Sequence, residues 1–486
     1  MDLSPAPNHP SQVTVAIIGG GFTGAIMAVQ LLRRGGGGIS VVIIEKNNLP
    51  GRGIAYRTQS RWHLLNVPAK NMSALGEEPE HFLRWARGNY DPSVEPGDFL
   101  PRNVYGQYVA WLLKETAEPD PQGRLRWVQN EACSLSRVGG RAEIKLRSGA
   151  VVKADKVVLA VGNFPPSDPV LPGRELEKSP RYVPQPWSAS ALEGLRDAKN
   201  VLLIGSGLTS LDLTIALRQQ GFRGTVHIIS RRGLLPRPHK ATKPWSCFWN
   251  ERSPKTSLGL LKLVRKEAAK ASREGVNWRA VIDSLRPVTQ QVWRSLPVSE
   301  KRRFLRHVRP YWEVHRHRLA PEIAQLIGHE VMNAGIQLHA GSIAKYRESD
   351  RGVEVTYRDR KTAREHTLTF DRVINCTGPE TDCRRLDDPL IADLRRHGLV
   401  RPDPLYLGLE VAENGALVDQ AGVTSDLLYA VGPVRKGTLW ETTAVPEIRE
   451  QVLALTKLIA SQINHTSTSD FTAFRNVGDL GVVREV

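Results

Sequence analysis

Cysteine is scarce in this chain: four residues in 486 (Cys133, Cys247, Cys376 and Cys383), no two of them spaced as C-x-x-C. That excludes the usual zinc and redox-dithiol motifs. Long apolar runs are missing too, with no uninterrupted stretch near the roughly 18 residues that a membrane-spanning helix needs. Residues 1–12 are polar and proline-containing and lack the charged start and apolar core of a signal peptide. A reduced, cytoplasmic protein without membrane or metal is expected. Acidic residues are outnumbered, 50 against 67 Lys and Arg, which leaves a formal net charge of +17. The basic residues are spread through the chain, with one dense region at Lys301 to Arg318. Anionic cofactors or an acidic substrate account for part of such an excess, so nucleic acid is not expected as a partner. The length suits two or three domains, each with its own core.

What is present begins with Val13 to Gly35, VTVAIIGGGFTGAIMAVQLLRRG. Val13 to Ile18 is a β-branched run suited to a buried parallel strand. Gly19, Gly21 and Gly24 follow at G-x-G-x-x-G spacing and open a helical pattern through Phe22 and Thr23. Such a turn brings a diphosphate against free backbone N–H groups and the positive end of a helix. The next strand, Ser40 to Glu45, ends in an acid placed to bind a ribose diol, with Lys46 beside it. The glycine run Gly35 to Gly38 lengthens the connection between them.

The pattern then repeats. RLRWVQNEACSLSR, AEIKLRSG and VVKADKVVLAVG alternate as short strands and end at Gly162. Asn200 to Gln220, NVLLIGSGLTSLDLTIALRQQ, is again strand, glycine turn (Gly205, Gly207) and helix, opened by Leu208, Thr209 and Ser210, where Ser210 replaces the third glycine. A second strand, Thr225 to Ser230, and a second set of short strands closing at Gly378 complete the copy. The two units differ where they meet a nucleotide: Glu45 in the first, Ser230, Arg231 and Arg232 in the second. An acid suits a free ribose diol and arginines suit a 2′-phosphate, so FAD is expected in the first unit and NADPH in the second. A solvated basic turn is the alternative for the arginines. Between the halves of the second unit lies a basic helical insertion, residues 255–330, whose Trp278, Trp293 and Trp312 read as core anchors. His315 and His317, two apart on a helix, face different sides and make no metal pair.

The fold class expected is α/β, two Rossmann-like dinucleotide-binding domains with a helical insertion. Residues 1–170 and 379–486 form the two segments of an FAD domain around an NADPH domain at 171–378.

Several segments carry a family resemblance: GGGFTG, LLNVPAKNMSAL, IGSGLTSLDL, SRRGLLPRPH, YWEVHRHR, NCTG and GPVRKGTLWETTAVPEIREQ. The chain resembles the bacterial FAD/NAD(P)-binding proteins of the NAD_binding_9 type and, at greater distance, the flavin monooxygenases, with a glutathione-reductase-like fold. The resemblance implies an NADPH-consuming FAD monooxygenase that oxygenates a small molecule through a flavin oxygen adduct, with N-hydroxylation of an amine ahead of other outcomes. The alternatives are a flavin reductase or dehydrogenase without oxygen insertion and a non-catalytic redox sensor. Many such flavoproteins carry Gly-Asp after the last strand, where this chain has Gly432 and Pro433. The ribityl contact is therefore expected near Trp440, Glu441 and Thr442, just ahead of the final helix; capping and packing of that helix is the other reading. Asn66, in LLNVPAKN, is expected to present an amide to the flavin, unless it lies on an ordinary surface turn.

Overall fold

The structure, a computed structural model, describes residues 12–169 and 179–475. The domain boundary expected at 170–171 and the leader reading of residues 1–11 lie outside them. Two large sheets organise the chain, each built around one apolar strand buried on both faces, as parallel strands covered by helices are. In the first sheet, β1 (Val13–Ile18) pairs in parallel with β2 (Ile39–Glu45) and with β7 (Lys156–Leu159). In the second, β9 (Asn200–Ile204) pairs in parallel with β10 (Thr225–Ser230) and with β14 (Arg372–Asn375).

The outer strands show where the copies diverge. With β3 (Leu125–Gln129), β15 (Ala416–Val418) and β16 (Thr424–Ala430), the first sheet has the order β15-β16-β7-β1-β2-β3. The run from Leu125 reads in sequence as the start of a meander, yet β3 joins β2 in parallel, Val41 opposite Leu125. Only β4 (Ala132–Val138), β5 (Arg141–Leu146) and β6 (Val151–Ala154) form a separate antiparallel sheet. The second sheet adds β8 (Tyr182–Val183), β11 (Ile336–Ser349), β12 (Gly352–Asp359) and β13 (Glu365–Phe370) in the order β13-β12-β11-β10-β9-β14-β8. Here β11 belongs to both parts. Its first residues run parallel to β10, and beyond Gly341 it pairs antiparallel with β12, with a register shift between Ile343 and Lys345.

Helix α1 (Phe22–Arg34) is buried from Phe22 to Leu32, lying under α3 (Arg102–Ala117) and α13 (Val445–Arg475) in one core that also takes in α2 (His81–Asn89). Fully burying a side chain such as Ile26, Met27 or Leu31 contributes about 1.5–3 kcal/mol. Helix α4 (Leu208–Gln219) plays the part of α1 in the second unit. The insertion folds as α5 (Ser257–Arg273), α6 (Trp278–Ser284), α7 (Thr289–Ser295) and α8 (Val298–Arg303), then a π-helical turn into α9 (Arg309–Arg316), and α10 (Pro321–Met332). Near the end of the chain come α11 (Pro389–Arg396) and the short α12 (Lys436–Leu439). Among the described residues no helix is long and apolar enough to cross a membrane.

The duplication extends to single contacts. Gly19 has φ +105° and an added Cβ would stand 2.4 Å from the Ala160 carbonyl oxygen; Gly205 has φ +109° and its Cβ would stand 2.4 Å from that of Cys376. Each glycine turn is thus pressed against the end of its own closing strand. At Gly24 a Cβ would fall 1.8 Å from the Gly19 carbonyl oxygen, so the helix can approach the strand only without a side chain there. Gly88 in α2 has nothing within 4 Å. Gly24→Ala should therefore destabilise the protein by about 1–3 kcal/mol or more, whereas Gly88→Ala should stabilise it by about 0.4–1 kcal/mol. Urea denaturation of the two variants checks the opposite signs.

Candidate cofactor and active site

The first glycine turn is held by its neighbours rather than left open. Glu45 Oε2 accepts from the Gly20 N–H at 2.7 Å, and Oε1 accepts from the Asn47 backbone and side-chain amides, both at 2.8 Å. The acid at the tip of β2 is thereby fixed beside the turn, while Lys46 is exposed and reaches Glu131 at 3.9 Å. No side chain caps α1 at Gly21, so its first N–H groups keep their donor capacity. Gly21 has an extended backbone, and a Cβ on it would meet Gly53 Cα at 3.2 Å; residues around Gly53 thus cover the turn. Gly432, at φ +83°, approaches Thr23, whose Oγ would lie 3.1 Å from an added Cβ. The Gly432 N–H donates to Gln451 Oε1 at 3.0 Å.

Among the described residues, three buried polar atoms along this path have no protein partner: Trp127 Nε1 on β3, the neighbour of β2, Gln451 Nε2, whose amide oxygen holds Gly432, and Thr442 Oγ1 ahead of α13. Buried polar atoms are nearly always satisfied, so such a trail fits a bound polar molecule. An FAD running from Glu45 past Gly21 and Gly432 to Thr442 suits these donors.

The second turn opens onto a crevice of about 860 Å³ between the two sheets. Gly205, Gly207, Leu208 and Thr209 line it, with Ser230, Arg231, Arg232 and Gly378 from the same unit and Asn66 and Gly162 from the first. Space beside Gly207 is open, for an added Cβ there would meet nothing within 4 Å. Ser210 sits beneath, its hydroxyl donating to the Gly207 carbonyl at 2.7 Å. Ser230 Oγ accepts from Ser206 Oγ at 2.9 Å and from the Gly233 N–H at 3.1 Å, which pins the tip of β10. Arg232 lies over the Tyr311 ring, 5.0 Å from its centre, and donates to its hydroxyl at 3.1 Å; Arg231 is exposed and has no ion pair among the described residues. A positively charged rim next to an uncapped helix N-terminus suits NADPH. Lys436, also lining the crevice, is pushed by burial, with Arg309 adding to it, down to about 8.

A second pocket of about 510 Å³ shares Asn66, Leu208, Thr209, His317 and Thr443 with the crevice. Its walls carry both signs of charge. Arg102 pairs with Asp212 at 2.8 Å, tying α3 to α4, and the His63 Nε2–H donates to the Asp212 carbonyl at 3.0 Å. Arg316 holds Glu441 at 2.8 Å and lies 3.5 Å from Glu447, which Arg286 meets at 3.1 Å. Burial alone would raise the Glu441 carboxyl, but Arg316, with His317 and Arg286 behind it, outweighs burial and holds it below its ordinary value. Burial also pushes His317 down, and His239 down to about 4, leaving both imidazoles neutral at pH 7. His239 Nε2–H donates to the Asn66 carbonyl at 3.0 Å, which fixes the backbone of the shared wall.

Glu441 reaches this network through an unusual turn. Trp440 has φ 64° and ψ −65°, and the Glu441 N–H donates to the Leu439 carbonyl at 2.8 Å. This is a γ-turn of the rare positive-φ kind, strained for any residue with a side chain. Trp440 is held there by Trp293 at 4.9 Å and Phe304 at 5.1 Å, so it faces the insertion and not the crevice.

Sequence reasoning missed most of this pocket. Arg102, Asp212 and Arg316 stand on α3, α4 and α9, Asp283 at the end of α6 and Arg286 in the turn after it, and no motif joins them. The YWEVHRHR segment held the nearest signal, misread by treating it as one continuous helix. Helix α9 ends at Arg316 and His317 has non-helical ψ 87°, so His315 meets Trp278 while Arg316 and His317 turn into the pocket.

Residues 16–164 match the family model described as FAD-NAD(P)-binding, the family that the glycine turn and the LLNVPAKNMSAL segment resemble. The described residues have the fold of the flavoproteins that bind two dinucleotides. It is similar to the reduced form of ornithine hydroxylase from Pseudomonas aeruginosa, with TM-score 0.62 and 15% identity over 93% of this chain and 99% of that one. It is likewise similar to the ornithine N-hydroxylase of Kutzneria sp. 744, in complex with reduced FAD, NADP+ and L-ornithine (TM-score 0.61, 13% identity, 94% and 100% covered). The FAD-bound cadaverine monooxygenase of Erwinia amylovora gives TM-score 0.61 and 13% identity, with 91% and 93% covered. No curated protein matches the chain by sequence.

Removing one partner of a buried ion pair costs about 3–5 kcal/mol. Glu441→Ala should therefore lower stability by that order in urea denaturation at pH 7. Because the Glu441 carboxyl sits below its ordinary value of 4.5, the contribution is complete above that pH and is lost as pH falls further. The gap between wild type and variant should shrink on acidification. A gap that stays constant down to pH 3 would mean that the pair adds nothing.

Proposed function

We propose that this protein is an NADPH-dependent FAD monooxygenase that N-hydroxylates a small polar amine. Its FAD domain comprises residues 1–170 and 379–486 and its NADPH domain residues 171–378. FAD is assigned to Gly19, Gly21, Phe22, Thr23, Gly24, Glu45, Asn66, Gly162, Gly432 and Thr442. Trp440 and Glu441 support that site from behind, and Lys46 lies at its edge. NADPH is assigned to Gly205, Gly207, Leu208, Thr209, Ser210, Ser230, Arg231, Arg232 and Gly378. The observation that carries the reading is the adjacency of the two hollows: the crevice at the second turn shares a wall, including Asn66 and Thr443, with a pocket of mixed charge.

Bound FAD, once reduced by NADPH, supplies the transfer of one oxygen atom of O2 to the substrate while the other leaves as water. The protein's share is positioning and dryness. A small amine accepts oxygen only through an unprotonated nitrogen, and neutral His239 and His317 set no added positive charge against it. Arg102, Arg286 and Arg316 with Asp212 and Asp283 provide for a substrate that also carries charges. The similar enzymes named above act on ornithine and cadaverine, both small amines.

Oxygen uptake with NADPH should rise on adding such an amine, and the product should carry label from 18O2. Amine-stimulated NADPH oxidation without label in the product would favour the reductase reading. Charge-assisted hydrogen bonds to the extra phosphate should contribute about 1.5–3 kcal/mol, or about ten- to a hundredfold in affinity. Wild type should thus prefer NADPH to NADH in stopped-flow flavin reduction. Changing Arg231 and Arg232 together to Ala should remove most of that preference by weakening NADPH alone. Equal use of both nicotinamides by wild type would overturn the assignment.

A further inference from the structure

The insertion, with Phe248, Trp249 and Trp440, lines a third hollow of about 600 Å³, partly open to solvent, that shares no lining residue with the crevice or the pocket. Its walls are almost wholly apolar. Helix α5 is 17 residues long yet buries only Ser257 and Ala271, because Leu260, Leu261, Leu263 and Val264 face this space instead of a packed neighbour. Trp249, Trp278, Trp293, Trp312 and Trp440 line the rest of it; Trp293 and Trp440 are buried in a small core against which Trp312 packs, so the anchors expected at Trp293 and Trp312 also form one wall of the hollow. Protein interiors are packed with few voids larger than a water molecule, and an apolar cavity stays dry and takes up apolar ligands. This volume lies in the range of small-molecule sites.

Among the side chains that line it, Arg265 is the one Lys or Arg, and the nearest carboxylates, Glu300 behind Ser257 and Glu441 behind Trp312, accept from those lining residues. Arg265 lines the hollow, is exposed, and has no ion pair among the described residues, while no carboxylate lines it. Lys262, Lys266, Lys270 and Arg273 share α5 with Arg265, against the single acid Glu267. A cationic head would be repelled here and an anionic one held. We infer that the insertion is a binding site for a single-chain anionic amphiphile, such as a medium-chain fatty carboxylate. The chain lies among the tryptophans and the head group at Arg265. Trp440 forms part of the wall, and Trp312 Nε1–H donates to Glu441 at 3.2 Å, so the bound chain abuts the residues that shape the amine pocket.

Isothermal titration of the full-length, FAD-loaded protein tests this with dodecanoate and dodecyltrimethylammonium, each kept below its micellar range. Dodecanoate should bind saturably, one per chain, about tenfold or more tighter than the ammonium amphiphile. Arg265→Glu, an exposed change, should weaken dodecanoate about tenfold and leave NADPH-dependent flavin reduction unaltered. Val264→Phe, which fills the hollow, should weaken dodecanoate while melting temperature is retained; if that variant fails to fold, Arg265→Glu decides alone. Absence of saturable binding, equal affinity for both head groups, or an Arg265→Glu variant that binds dodecanoate like wild type would each overturn the inference.

Discussion

The approach of helix to strand at the glycine turns is the constraint on which the rest of the molecule depends. At residue 24 no atom beyond hydrogen fits beside the Gly19 carbonyl, and at residues 19 and 205 a side chain would enter the carbonyl of the closing strand. These collisions set the distance between α1 and β1 and the register of β7 and β14 against their partners. Glycine at the N-cap also leaves both helices without a side-chain cap, and α4 begins at the crevice. Everything assigned to cofactor binding follows from that geometry: the acid at the tip of β2, the arginines at the tip of β10, and the crevice at the ends of the second set of strands. The general rule that ligands bind at the carboxyl ends of parallel strands is met by a steric requirement a few atoms wide.

The two copies use the same turn to different ends. In the first, Gly53 covers Gly21 and Glu45 bonds the turn directly; in the second, Gly207 faces open space and Arg231 stands free at the rim. A covered turn suits a resident cofactor that stays through many cycles. An open one suits a nucleotide that enters and leaves.

What was legible in the sequence was local. The strand, turn and helix at Val13–Arg34 and at Asn200–Gln219 could be read because each is a contiguous pattern, and the helix at Arg102–Ala117 appears at its expected limits. The meander assigned to Leu125 onward was partly misplaced. An edge strand of a parallel sheet and the first strand of a meander have the same short alternating pattern, and only pairing distinguishes them. The mixed-charge pocket was illegible for a different reason. Arg102, Asp212, Asp283 and Arg316 come together from four places in the chain, and each taken alone looks like a solvated charge, while Glu441 reads in sequence only as a flavin contact or a helix cap. Trp440 carries no sequence mark of its positive φ, which is imposed by Trp293 and Phe304 and not by its own preference.

Gly207→Leu tests the division of labour between the two glycine turns most directly, because a Cβ added there meets no protein atom within 4 Å. The measurement is flavin content of the purified variant followed by anaerobic addition of NADPH, read as loss of flavin absorbance. The account predicts a protein that keeps a full complement of FAD and is no longer bleached by NADPH, while dithionite still reduces it. A variant that loses its flavin, or that NADPH reduces at the wild-type rate, would contradict the assignment.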